Sequence, residues 1–352
     1  MSEVDVRDVH VVAPNFKRRL SGVTSTIVQL VPLQARSIAI ATLGPGLPDS
    51  LPRIGWLSAI GLLRRPRGRP FRIWHARRNT EMLAGVVLKH VLRAPMKLLF
   101  TSAAQRRHTA YTRWLIRRMD AVIATSRRSG AYLDVPHEVV MHGIDTERFS
   151  PPATEAERRF AAGPPEGKAI GCFGRVRHQK GTDLFVDAMI ALLPDHPDWF
   201  AVVTGRVTTE HAAFARGLEE KVAAAGLSER ILFLGEVPDI RAWYRRVSLY
   251  VAPSRNEGFG LTPLEAMASG AAVVASDAGA YAELVEDGVT GSVVPAGDGT
   301  ELTAALRLWM SDPARVAEAS RTARERVARK FPLVREAEEI RRVYERLWER
   351  AA

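Results

Sequence analysis

Pro253-Ser-Arg-Asn-Glu-Gly-Phe-Gly-Leu-Thr-Pro-Leu-Glu-Ala-Met-Ala-Ser-Gly270 follows a short apolar run, 249–252, and leads into a helix that the sequence starts near Thr262. Strand, glycine-bearing loop and helix make the repeating unit of a parallel sheet, where ligands lie beyond the carboxyl ends of the strands. The stretch has two readings. Thr262, Pro263 and Glu265 spell a capping box with proline at the first helical position, in which Glu265 serves only its own helix. Alternatively, Gly258 and Gly260 let the backbone approach a ligand, and Phe259, Gly260 and Leu261 offer N–H groups to an anion at the positive end of the helix. Glu257, eight positions before Glu265, has no capping role. It reads either as a solvated loop acid or as an acceptor for sugar hydroxyls, which carboxylates bind strongly.

The same unit recurs along the chain. Apolar runs at 8–13, 37–43, 71–75, 97–101, 121–125 and 138–141 alternate with helical stretches such as 79–93 and 111–118. A second series follows at 169–173, 200–204, 231–234, 249–252, 271–275 and 292–294. Continuous apolar strands separated by helices predict parallel sheets covered on both faces, and two series predict two doubly wound α/β domains. The stretch 150–167, rich in proline, glycine and charge, reads as their joint. At the end of the chain, Ile340, Val343 and Leu347 give a charged helix one apolar stripe, for which the first domain is the expected surface. Gly171-Cys-Phe-Gly-Arg-Val-Arg-His-Gln-Lys-Gly181 repeats the strand–loop–helix pattern with Arg175 and Lys180 in the loop. A guanidinium fork and an ammonium beside glycines suit a diphosphate, although basic loop residues are also commonly just solvated. The loop is neither a Walker loop nor a G-x-G-x-x-G fingerprint.

At 352 residues the chain is long enough for two cores, and 46% hydrophobic with 25% charged residues excludes a disordered chain. One cysteine, Cys172, excludes an internal disulfide framework and a multi-cysteine zinc site. The net charge of +11 is uneven: residues 1–165 carry 26 basic and 12 acidic side chains, or +14, and the remainder 24 and 27, or −3. Such a field attracts nucleic acid, anionic lipid or an acidic substrate. No recognised nucleic-acid motif accompanies it and aromatic residues are only 7%, so no nucleic-acid partner is expected. No uncharged stretch is long enough to span a membrane, and the opening MSEVDVRDVH lacks the apolar core of a signal peptide, so a cytoplasmic protein is expected. The run 54–63, with Trp56, precedes Arg64, Arg65, Arg67 and Arg69, and pairs of arginines recur at 106–107 and 117–118. This reads as an interfacial element for an anionic membrane surface, or else as a buried helix flanked by solvated arginines.

NEGFGLTPLEAMASGAAVVAS (256–276), FGRVRHQKG (173–181), MHGIDTERFSPP (141–152) and ELVEDGVTGSVVPAGD (283–298) together resemble the retaining glycosyltransferases of family GT4, with the GT-B fold. RIWHARRNTEML (72–83) and KLLFTSAAQRRHTAYTRWLIRRMDAVIATS (97–126) resemble more narrowly the lipopolysaccharide-core mannosyltransferases of rhizobial type. The resemblance implies two Rossmann-like domains facing a central cleft: an acceptor-binding domain at 1–160, a nucleotide-sugar-binding domain at 161–332, and a helix at 333–352 packing back on the first. It implies transfer of mannose from GDP-mannose, with retention, onto a lipid-linked anionic saccharide of the Kdo–lipid A type. By the same resemblance Arg175 and Lys180 hold the donor diphosphate, Glu257 contacts the donor sugar and Glu265 the ribose. Phe259, Gly260, Leu261 and Thr262 receive sugar hydroxyls or phosphate, and Val237 and Pro238 fall where the family holds its base. Ser21-Gly22 lies where the family often has two adjacent glycines, so only Gly22 carries over. His142 replaces a common asparagine, and Ala103 fills a place where many relatives have histidine. Acceptor candidates are His75, Arg77, Arg78 and His108. With two loop cations and no Asp-x-Asp triplet, no metal and no cofactor are expected. The alternatives are a GT4 transferase that uses UDP-glucose, a basic nucleic-acid-binding protein, and a sugar-nucleotide sensor without turnover.

Overall fold

The computed structural model describes residues 4–18, 22–160 and 165–349, and the chain divides into two compact units. Met1–Met141 and Leu333–Ala352 form the first, and His142–Pro332 the second. Strands β1 Val11–Pro14, β2 Ile40–Leu43, β3 Arg72–Ala76, β4 Met96–Ser102, β5 Ala121–Ala124 and β6 Glu138–Val139 belong to the first unit. The second holds β7 Lys168–Phe173, β8 Trp199–Thr204, β9 Ile231–Phe233, β10 Val247–Ala252, β11 Ala272–Ser276 and β12 Gly291–Val294. Each predicted apolar run overlaps a strand.

Both sheets are wholly parallel, in the orders β2-β1-β3-β4-β5-β6 and β12-β11-β10-β7-β8-β9. In the second, the chain runs outward from β7 through β8 and β9, then returns to place β10 on the other side of β7. The order therefore reverses between β7 and β10, with Leu249 opposite Ile170 and Tyr250 opposite Gly171. That crevice is where a doubly wound sheet receives a ligand. The 173–181 loop leaves β7 and the 253–261 loop leaves β10, so the topology sets the two sequence motifs side by side.

The first sheet buries both faces. One packs against the Gly22–Gln34 helix and the Leu333–Glu349 helix, through Ile27, Leu30, Val31, Ile340, Val343 and Leu347. The other carries Val12, Trp74, Met82, Leu98 and Leu115. Polar anchors fix the terminal helix: Tyr344 Oη lies 2.7 Å from His75 Nδ1, Trp348 Nε1 donates to the Phe71 carbonyl at 3.2 Å, and Arg346 pairs with Glu138.

The boundary between units falls at Met141/His142, not within 150–167 as composition suggested or at 160/161 as the resemblance implied. The Ile144 N–H donates to the Phe331 carbonyl, Arg324 to the Thr146 carbonyl, and Arg245 to Ser150 and Glu157. Residues 144–157 are thus tied to the second unit well before its first strand. Ser21 and residues 161–164 lie outside the described residues.

Candidate functional site

Gly181 and Gly260 shape the two loops of the second unit. Gly181 has φ +70°, and a Cβ there would lie 1.9 Å from the Pro253 carbonyl oxygen; Gly260 has φ +84°, and a Cβ would lie 2.2 Å from the Tyr281 ring. Both need glycine for conformation and for space. Cross-links then join the loops. The Arg255 N–H donates to the Gln179 carbonyl, and its guanidinium grips both Asp183 oxygens at 2.7 Å each while also donating to the His178 carbonyl. A bidentate clamp of this kind fixes orientation as well as distance.

Between them lies a narrow pocket lined by Arg175, Lys180, Thr182, Tyr250, Thr262 and Tyr281. Lys180 Nζ is ion-paired with Glu257 Oε2. Glu257 also accepts from the Gly258 N–H at 3.0 Å and from Tyr281 Oη at 3.3 Å. Burial alone would raise the Glu257 carboxyl, but the Lys180 ammonium and those two donors hold it below its ordinary value. Arg175 is exposed and makes no ion pair among the described residues. The N–H groups of Phe259, Gly260 and Leu261 have no partner among them either. Phe259 is buried, and the His142 ring meets it edge-on at 4.8 Å. The Cys172 thiol, pushed up to about 12 by burial, stays neutral at this wall.

The capping-box reading of Glu265 does not hold. The Thr262–Ala268 helix is capped by Leu261 without a side-chain bond, and Glu265 Oε2 instead accepts from Tyr244 Oη at 2.7 Å. Burial pushes its carboxyl up, against the opposing Tyr244 hydroxyl and the Arg148 charge. The partly buried carboxyl is thus held by a hydroxyl from another helix, Ile240–Arg246, and makes no cap for its own.

The remaining sequence candidates are scattered. Val237 and Pro238 lie on the loop after β9, in the second unit, and are not among the residues that line the pocket. Gly22 begins a helix of the first unit. There, His75 is fully buried with both ring nitrogens taken, by Tyr344 and by Thr101 Oγ1 at 2.7 Å, and burial lowers its pKa well below the usual histidine value. It is a core residue with no atom left for an acceptor. Arg78 is likewise spent on Glu81 at 2.7 Å, Asn15 at 2.8 Å and Thr24 at 3.0 Å. Arg77 differs: its Nη1 donates to the His75 carbonyl at 3.2 Å, but its Nη2 has no partner among the described residues. His108 is partly buried, 3.5 Å from Ser102 Oγ, and burial and then Arg106 lower its pKa.

Three residues that motif reading missed complete the second unit's site: Tyr281 on Glu257, Tyr244 on Glu265, and Asp183 in the Arg255 clamp. Tyr281 follows β11 and was open to the after-a-strand rule that found the others. Tyr244 gives no local signal, because its partner lies 21 residues away. Among the described residues no three His, Cys, Asp or Glu side chains gather in a metal-holding group, and no helix is long and apolar enough to cross a membrane.

Residues 154–326 match the family model of the group 1 glycosyl transferases. The chain is 64% identical to the lipopolysaccharide core biosynthesis mannosyltransferase LpcC of Rhizobium leguminosarum bv. viciae, over 97% of this chain and 98% of that protein. It is 57% identical to the corresponding enzyme LpsB of Rhizobium meliloti (strain 1021), over 98% and 99%. Among solved structures, the C-terminal domain of a glycosyl transferase group 1 family protein from Francisella tularensis is 36% identical, with a TM-score of 0.52, and covers 54% of this chain and 100% of that one. The Anabaena protein HepE, in complex with UDP and glucose, has a TM-score of 0.80 over 95% of this chain and 99% of that one. At 18% identity this second likeness concerns the fold alone, which is GT-B.

Proposed function

Because the chain belongs to the group 1 glycosyl transferases, we propose that it transfers mannose from GDP-mannose, with retention, onto a lipid-linked anionic saccharide of the lipopolysaccharide core, of Kdo–lipid A type. The observation that carries this reading is the 64% identity, sustained over 97% of the chain, with a mannosyltransferase of lipopolysaccharide core biosynthesis. The work is done at the inner face of the cytoplasmic membrane, by a peripheral protein.

The acceptor hydroxyl attacks the anomeric carbon from the face that the diphosphate leaves. The anomeric C–O bond breaks, and an oxygen of the departing phosphate takes the hydroxyl proton. Negative charge grows on the diphosphate, beside Arg175, Lys180 and the unpartnered N–H groups of Phe259, Gly260 and Leu261. Preorganised donors of this kind are the main source of rate in such transfers. When the donor enters, Lys180 turns from Glu257 to the phosphate and Glu257 to the sugar hydroxyls. Glu265 takes the ribose, and Val237 and Pro238 border the base. Arg77, with its unpartnered Nη2, and His108 serve the acidic acceptor. The cations make a metal unnecessary.

A panel of GDP- and UDP-sugars, each with a detergent-dispersed Kdo–lipid A acceptor and excess EDTA, tests this by mass spectrometry. GDP-mannose is expected to give the only efficient transfer, undiminished by chelation. Preference for UDP-glucose, or a requirement for restored magnesium, would contradict it.

A further inference from the structure

Two apolar ridges stand exposed on the first unit with a pocket between them. The first is a short helical turn, Ser58–Leu63, and the residues before it, where Trp56 is 66%, Leu57 93% and Ile60 76% exposed. The second is the helix that begins as Asn79–Val86 and widens into a π turn at Val87–Val91, exposing Leu83, Val87 and Val91. Between them opens an apolar pocket of about 430 Å³, walled by Ala59 and Leu62 on one side and by Leu83, Val87 and Leu88 on the other, with Trp74 lining it too. Its volume lies within the roughly 300–1,000 Å³ of pockets that hold small ligands. Phe16, also in the lining, stacks on Trp56 at 6.5 Å and so ties the first ridge to the pocket.

The two ridges themselves carry charge of one sign, although Lys89 on the second is paired with Asp120 at 2.6 Å. Segments 54–65 and 83–93 contain no Asp or Glu. Lys17 and Arg18, next to Phe16, and Arg64 and Arg65, next to Leu63, are exposed and make no ion pair among the described residues. Two arginines that the sequence grouped with them are otherwise engaged: Arg67 pairs with Asp8 at 3.0 Å, and Arg69 covers the Trp348 ring at 4.2 Å. The alternative of a buried helix is excluded by the exposure of Trp56, Leu57 and Ile60. Exposed Leu, Ile and Trp bounded by unpaired cations match the requirements of a bilayer surface: side chains for the acyl boundary, and charges for anionic headgroups.

We propose that this face seats the protein on an anionic lipid bilayer, with Trp56, Leu57 and Ile60 inserted, Lys17, Arg18, Arg64 and Arg65 on the headgroups, and the pocket between the ridges holding one acyl chain of a membrane lipid. The proposal rests on the peripheral-membrane part of the function above and is independent of the donor assignment.

Co-sedimentation of the full chain with phosphatidylglycerol and phosphatidylcholine vesicles tests it. Binding is expected at least tenfold tighter to phosphatidylglycerol and weaker as salt rises. Arg64→Ser and Arg65→Ser each cost about fivefold, since a cation near an anionic surface contributes about that factor. Leu57→Ser with Ile60→Ser costs at least about tenfold through lost apolar burial and leaves the salt dependence unchanged. In a Trp56→Phe chain, lipids brominated on the acyl chain quench the remaining tryptophan emission through Trp74. Adding Ala84→Phe, which fills the pocket, abolishes that quenching while pelleting persists. Equal binding to both vesicles, binding to neither, or a lipid-free dimer that shields Trp56 would overturn the docking face, and quenching indifferent to Ala84→Phe would overturn the acyl site. Transfer to the detergent-dispersed acceptor, measured alongside, is retained by the surface variants. Its failure with vesicle binding intact counts against the sugar-transfer reading alone.

Discussion

Lys180 and Arg175 are both loop cations beside the same pocket, but they differ in what their loss uncovers. Lys180 neutralises Glu257, whose side chain is only 18% exposed, whereas Arg175 stands without an ion-pair partner among the described residues. Removal of either donor at a developing charge costs on the order of 100-fold in rate. Only Lys180→Ala also leaves a largely buried carboxylate unpaired, at about 2–3 kcal/mol. Steady-state kinetics with thermal melts should thus show two slow variants, one with native stability (Arg175→Ala) and one destabilised. Near-native rates in both would remove the diphosphate assignment. Glu265 carries a different signature. Its folded pKa is raised by burial, so the folded state takes up a proton at higher pH than the unfolded chain does. The wild type therefore gains stability as pH falls towards the ordinary glutamate value, about 4.3. Glu265→Gln keeps an acceptor for Tyr244 without the charge. It should melt higher than wild type at neutral pH, lose that advantage on acidification, and bind donor more weakly. A variant less stable at neutral pH would mean that the carboxylate is structural.

At the scale of elements, the sequence was most legible where one strand's own pattern decides. Every apolar run overlaps a strand, because a strand buried on both faces leaves a continuous apolar signature, the two-residue, exposed edge strand Glu138–Val139 excepted. The two glycine loops were legible as a site because each follows a strand, and the sheet order then brought β7 and β10 together. What escaped was set by distant partners. Thr262-Pro-Leu-Glu265 spells a cap, yet Tyr244 from another helix takes the carboxylate. His75 looked available at the end of a strand until the terminal helix delivered Tyr344 to it. The joint was misplaced for the same reason, since proline and glycine content does not reveal that Ile144 bonds to Phe331. The terminal helix is the element with most to lose. It fills one face of the first sheet with Ile340, Val343, Tyr344, Leu347 and Trp348. A chain ending at Pro332 should lose the folded first unit, seen as rapid proteolysis of residues before 141 with the second unit spared. Equal protection of both units would show that the helix is dispensable. Trp348→Ala alone should cost about 3–5 kcal/mol.

On the scale of the whole molecule, charge and chemistry divide between the units. Residues 1–165, most of them in the first unit, carry +14, while the 173–181 and 253–261 loops lie in the nearly balanced remainder. Family membership and fold agree with one another, and the sugar and acceptor are the parts of the account that a single product can decide. The most direct test is to incubate the purified protein with GDP-mannose and a Kdo–lipid A acceptor and to solve the linkage of the product by NMR. The account predicts one mannose added to the acceptor saccharide with the α configuration of the donor preserved. A β-linked mannose, a different sugar, or no product from an otherwise folded protein would contradict it.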